Sequence, residues 1–120
     1  MPRLRPKTMA KLTLTMMQRL NLDALLSVQR GSLDDLFTLH DIREKIKVPR
    51  GLREQYVKYL PDGRVLVDEQ AVELAEPAEI DFEKEEVRRL QRLLKEWTNF
   101  AEGDVSWVVP LKKQLDGPIL

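Results

Sequence analysis

The chain has 120 residues, one histidine, no cysteine, and 20 basic against 20 acidic side chains, so its formal net charge is zero. That length makes one domain with a modest core, and the missing cysteines remove disulfides, thiolate metal centres and cysteine nucleophiles together. No apolar run approaches the roughly 18 residues that span a bilayer, and the basic start MPRLRPKTMAKLTLTMM lacks the apolar stretch and small-residue cleavage site of a secretory signal; the expectation is a soluble cytoplasmic protein.

The zero net charge conceals a split. Residues 1–60 hold 12 Lys+Arg against 6 Asp+Glu (+6), and residues 61–120 hold 8 against 14 (−6). Between Asp68 and Glu86 nine carboxylates face one lysine. Opposite halves can pair within one fold or steer association between copies or partners. Asparagine occurs only twice, and Arg and Glu are abundant, a lean toward a thermophilic source.

Residues 1–11 carry Arg3, Arg5, Lys7 and Lys11 with two prolines, and read as a basic extended arm. From about Thr15 to Arg30, Met17, Leu20, Ala24 and Val28 recur at helical spacing, with Gly31 placed to end the helix. In SLDD and TLHD, Ser32 and Thr38 each precede an aspartate by three residues, so a second helix covers 33–46 or begins near 39. Pro49 stops it. A helical turn over 50–55 and a hairpin follow, with strands near 56–60 and 64–68 joined by Pro-Asp-Gly.

VELAEPAEI, broken by Pro77, reads as an extended connection or edge strand. The strongest helix is 82–98. Asp81 caps it, acids crowd its start and bases its end, and Val87, Leu90, Leu94 and Trp97 form the apolar stripe with Leu93 beside it. Glu85 and Arg89 are spaced to pair on its surface. The remaining tail, 99–120, is interrupted by proline and glycine and packs on the domain or on a partner. The fold class is therefore α+β, mainly helical, with three to four helices and one hairpin in a domain over residues 12–98.

Chemistry is constrained mostly by elimination. One histidine without cysteine leaves no common zinc set, and the acidic stretch lacks the glycine-containing spacing of a calcium loop. No cofactor is implied. Ser27, Ser32 and Ser106 lie in no G-x-S-x-G context, and Asp41, adjacent to His40 on a helix, points about 100° away from it. The five glycines are scattered singly, so no phosphate-binding loop is formed. An enzyme is not expected.

Two binding classes remain. The order helix, helix, short helix, hairpin is that of a winged-helix DNA-binding domain, with PRGLREQY as recognition helix and PDGR as wing; Arg50, Arg53, Lys58 and Arg64 would then face DNA. The basic excess such binders usually show is confined to the first half. The other class is protein contact, through Arg3, Arg5, Lys7 and Lys11, through Glu69, Glu73, Glu76 and Glu79, and through Trp107, an aromatic of the kind that anchors interfaces.

The phrases LTLTMMQRLNLDALL, FTLHDIREKI, DGRV and IDFEKEEVRRLQRLLKEW together resemble a loose group of short proteins encoded in phage and prophage genomes, over most of residues 12–98. The PRLRP arm and the segment after Trp97 depart from that group. The resemblance implies a phage origin and a virion component, an assembly factor or an inhibitor of a host machine, in the host cytoplasm or the virion. It carries over no catalytic residue. The expectation is a non-enzymatic interaction protein that binds a protein partner or further copies of itself, with no membrane role.

Overall fold

The structure, a computed structural model, describes residues 9–117. The chain runs β1 (Met9–Leu14), α1 (Met16–Ser27), α2 (Leu33–Ile46), α3 (Arg50–Arg53), β2 (Val57–Tyr59), β3 (Val65–Val67), α4 (Glu69–Leu74), β4 (Ala78–Glu83), α5 (Lys84–Glu96) and α6 (Val105–Asp116), with a 3-10 turn over Glu102–Asp104 before α6. It is α+β and mainly helical, as the sequence leads one to expect, but with six α-helices and two small antiparallel sheets among the described residues rather than three to four helices and one hairpin.

The unanticipated sheet joins β1 to β4. Their register sets Leu12 opposite Ile80 and Ala10 opposite Phe82. Ala10, Leu12 and Leu14 are buried while Lys11 and Thr13 face out, the period-2 pattern of a strand with one wet face. The stretch expected to be an extended arm is held as a strand from Met9 onward; the residues before it, including Arg3, Arg5 and Lys7, lie outside the described residues. The other edge of β1 is not open at Thr13. The Gln114 amide from α6 accepts from Thr13 N at 2.8 Å and donates to Thr13 O at 2.8 Å, standing in for a neighbouring strand.

Helix boundaries follow their caps. At the start of α1 the Thr15 hydroxyl accepts from Gln18 N, and the Gln18 side chain accepts from Thr15 N, a reciprocal capping box. The helix ends at Ser27 and not at Arg30, and Gly31 is not in the left-handed region; among the described residues only Gly63, in the hairpin turn, has positive φ (87°). Ser32 does cap α2, accepting from Asp35 N, so the longer of the two expected helices forms. Its C-terminus is closed from outside: Arg19 of α1 donates to Ile46 O at 2.9 Å and to Lys47 O at 2.8 Å. Burial lowers the pKa of that guanidinium.

The acidic connection divides. Asp68 caps a short α4, accepting from Ala71 N at 3.0 Å, and Val72 is the side chain that α4 buries. Only after Pro77 does the extended segment begin. Residues 81–83 stay in β4, so Asp81 is a strand residue opposite Lys11 and α5 starts after Glu83, whose N–H donates to Glu86 at 2.7 Å. Val87, Leu90, Leu93 and Leu94 are buried, and Trp97 is half-buried just past the helix. Arg89 turns away from Glu85 and forks onto Asp35 of α2, at 3.0 and 3.3 Å, joined there by Arg92 at 2.7 Å. Glu86, almost fully buried, takes Lys45 of α2 at 2.5 Å.

The tail folds. Trp107, Leu111 and Leu115, spaced by four, form the buried stripe of α6, and the helix runs through Pro110, which lies on its exposed side. One large core gathers β1, α1, α2, β4, α5 and α6 around Leu14, Leu22, Ile42, Phe82 and Leu90. A smaller cluster of Met16, Val48 and Val72, with Met17, Leu20, Leu52 and Tyr56 against it, holds α3 and α4 to α1.

A candidate docking cleft beneath the hairpin

The β2–β3 hairpin leaves a group of apolar side chains uncovered. Val57 pairs with Val67, Lys58 with Leu66 and Tyr59 with Val65. Because side chains alternate across a strand, Val57, Tyr59, Val65 and Val67 share one face, and Lys58 and Leu66 the other. The four-residue face looks across a cleft of about 470 Å³ toward Met17, Leu20 and Ala24 of α1, Val72 of α4 and Trp107 of α6. Of that face only Val57 is buried; Tyr59, Val65 and Val67 are 63%, 51% and 48% exposed. Single exposed apolar residues are ordinary, but a contiguous set around a concavity marks a contact site.

Trp107 closes the floor of this cleft. It is buried rather than displayed, with its ring edge-on to Phe100 at 6.4 Å and its indole N–H donated to Asp104 at 3.0 Å. As a contact residue it is therefore a wall and not a protruding anchor. The Asp104 carboxylate also accepts from Ala101 N at 2.8 Å, and the Trp107 and Ala101 hydrogen bonds hold its pKa below the ordinary value against a small burial effect.

Arg53 sits where the cleft meets a second concavity. That pocket, about 390 Å³, is lined by Asp23, His40, Arg43, Glu44, Lys47, Val48, Arg50 and Arg53. Four permanent cations thus face two carboxylates. Asp23 binds Arg43 at 3.0 Å and Arg53 at 3.7 Å, and the Nε of Arg53 is buried without an acceptor. Arg50 is nearly fully exposed and reaches Glu54 only at 3.9 Å. His40 is exposed, off the Leu39–Ile42–Ile46 stripe of α2. The sequence runs Arg43, Lys47, Arg50 and Arg53 close along the chain beside His40, where they could touch a partner, but it does not point to Asp23, which arrives from α1 and meets Arg43 and Arg53 only in three dimensions.

The remaining expected contact residues do not converge. Lys11 lies 3.8 Å from Glu79 across the β1–β4 ladder, so at this point the basic and acidic stretches meet within one chain. Glu69 borders the cleft at the start of α4, while Glu73 and Glu76 are exposed beyond it. Of the expected DNA contacts, Lys58 is on the outer face of the hairpin and Arg64 pairs with Asp62 at 2.6 Å in the turn. The element order expected of a winged helix is present, but α3 is a single turn of four residues, too short to lay base-reading side chains along a groove. Among the described residues no cluster of three or more His, Cys, Asp or Glu residues could hold a metal ion, and no helix is long and apolar enough to cross a membrane.

No protein-family model matches the chain, and no curated protein or solved structure matches it either.

Proposed function

We propose that this chain is a non-enzymatic interaction protein that holds an apolar protein segment with an acidic flank beneath its hairpin. The observation that carries this reading is the uncovered Tyr59–Val65–Val67 face over a concavity with apolar walls. The acidic flank follows from the end of the cleft: Arg53 opens it onto Arg43, Lys47 and Arg50, where a carboxylate gains charge-assisted hydrogen bonds. A phage origin, and with it a role as virion component, assembly factor or inhibitor of a host machine, is supported by the resemblance of residues 12–98 alone. It carries with it the host cytoplasm or the virion as the place of action.

A photo-activated cross-linker in place of Tyr59 tests the reading, in purified protein and in bacterial lysate. The expected result is a discrete protein adduct that disappears when Ala24→Glu puts a carboxylate on the cleft wall. Absence of any adduct, or one insensitive to Ala24→Glu, overturns it. Binding to duplex DNA at low salt, where the phosphate contribution is strongest, would instead favour the winged-helix reading.

A further inference from the structure

We infer that β3 pairs edge to edge with β3 of a second copy, antiparallel about a two-fold axis through Leu66. This goes beyond the cleft, since it uses backbone that the cleft does not. Hydrogen bonds from Leu60 N to Arg64 O and from Asp68 N to Tyr56 O mark the two ends of the hairpin ladder. In an antiparallel pair, hydrogen-bonded and non-hydrogen-bonded positions alternate. Lys58 and Leu66 are thus bonded to each other, and the N–H and C=O groups of Val65 and Val67 point away from β2 to the open side. Residues 61–70 are all exposed, so none of the described residues lies over that edge.

Open edges are usually blunted by charge, proline or cover. The chain does so at β1, where Gln114 occupies Thr13. At β3 the edge is short, but its three residues, Val-Leu-Val, include neither charge nor proline.

The sequence around that edge is complementary to itself. A two-fold axis at Leu66 sets Val65 opposite Val67 of the second copy and Val67 opposite its Val65, and these are the positions whose backbone groups point outward. Four backbone hydrogen bonds close. One step further out, Arg64 stands opposite Asp68 of the second copy, and Asp68 opposite its Arg64. Cross-strand opposite charges favour the pair and like charges oppose it, so this register is selected over its neighbours. Identical strands meeting antiparallel form a closed, isologous contact that stops at two copies. Tyr59, Val65 and Val67 then continue into the equivalent face of the second copy, and the two clefts open on one side of a four-stranded sheet. The contact is small, which sets it among weak, concentration-dependent associations.

Light scattering behind size exclusion, over a wide range of concentration and at two salt levels, reads the association directly. The expected result is a dimer at high concentration that dissociates on dilution and more readily in salt. Arg64→Asp places like charges at both ends and weakens association by roughly tenfold or more. Asp68→Arg does the same, and mixing the two variants restores a heterodimer with opposite charges at both ends, one pair reversed and the other as in the parent. Asp68→Asn keeps the α4 cap if Asp68→Arg does not fold, and it also weakens the dimer.

Because the chain has no cysteine, Leu66→Cys gives an independent reading. Non-hydrogen-bonded antiparallel partners approach to about 4.5 Å between Cα atoms, within disulfide range, so Leu66→Cys oxidises to a dimer faster than Arg64→Cys. A chain that stays monomeric throughout, or equal cross-linking at both positions, overturns the pairing. It does not touch the cleft reading, whose adduct at position 59 would then have the mass of a different protein.

Discussion

Asp104 shows how one side chain can set both a helix start and the wall of a site. Its two carboxylate oxygens take the Ala101 N–H and the Trp107 indole N–H, so it closes the 3-10 turn and aligns Trp107 under the hairpin. The Trp107 bond is the larger cause of its lowered pKa, the Ala101 bond the next, and desolvation works in the opposite direction. With the folded value below the ordinary 3.8, the stabilisation is complete above the unfolded pKa and is lost as pH falls through the folded one. Asp104→Ala leaves the indole N–H without its acceptor. It is expected to lower stability by about 1–2 kcal/mol at neutral pH and to lose less than the parent as pH falls below the ordinary carboxylate value. Urea unfolding from neutral to acid pH measures both.

At the scale of elements, α6 is the clearest case of packing overriding a local signal. A proline inside a helix removes one hydrogen bond and crowds the preceding turn, and on that ground the tail reads as interrupted. Pro110, however, faces solvent, and the carbonyl of Ser106, left without its helical donor, belongs to an exposed residue. The apolar stripe of Trp107, Leu111 and Leu115 carries the helix past it. Pro110→Ala restores the missing donor without touching the core and is expected to stabilise by about 1–3 kcal/mol, read as a rise in melting temperature with stronger helical dichroism. The same contrast explains what could be read in advance. The helices 33–46 and 84–96 and the hairpin carry their own caps, stripes and turn, and so stand out locally. The β1–β4 sheet does not, because its partners are about 70 residues apart and the alternation in AKLTL is too short to separate from a helix start. The hairpin was legible but its uncovered face was not, since exposure depends on how far α1 and α6 stand from it. The basic pocket was partly legible for the same reason: Arg43, Lys47, Arg50 and Arg53 run close along the chain, while Asp23 arrives from α1.

For the whole molecule, the division into a large and a small cluster has a mechanical consequence. The large core joins six elements and is cross-braced by Lys45–Glu86 and by the Asp35–Arg89–Arg92 fork. The segment from Val48 to Ala75, which includes the hairpin, is held mainly by Met16, Val48 and Val72. Regions with fewer buried contacts open locally at lower free energy than the global transition. The candidate docking face therefore rides on the smaller of the two clusters, which is expected to open at lower free energy than the core of α2, α5 and β4. Val72→Ala separates the two units. Removing two buried methyl groups costs about 1.5–2.5 kcal/mol, or roughly a 10- to 70-fold rise in the opening equilibrium. Native-state hydrogen exchange is expected to show that acceleration in amides of α3, the hairpin and α4, with those near Leu22, Ile42 and Leu90 unchanged. Uniform acceleration across both clusters would mean that the chain opens as one unit, and that the hairpin is as firmly held as the core beneath it.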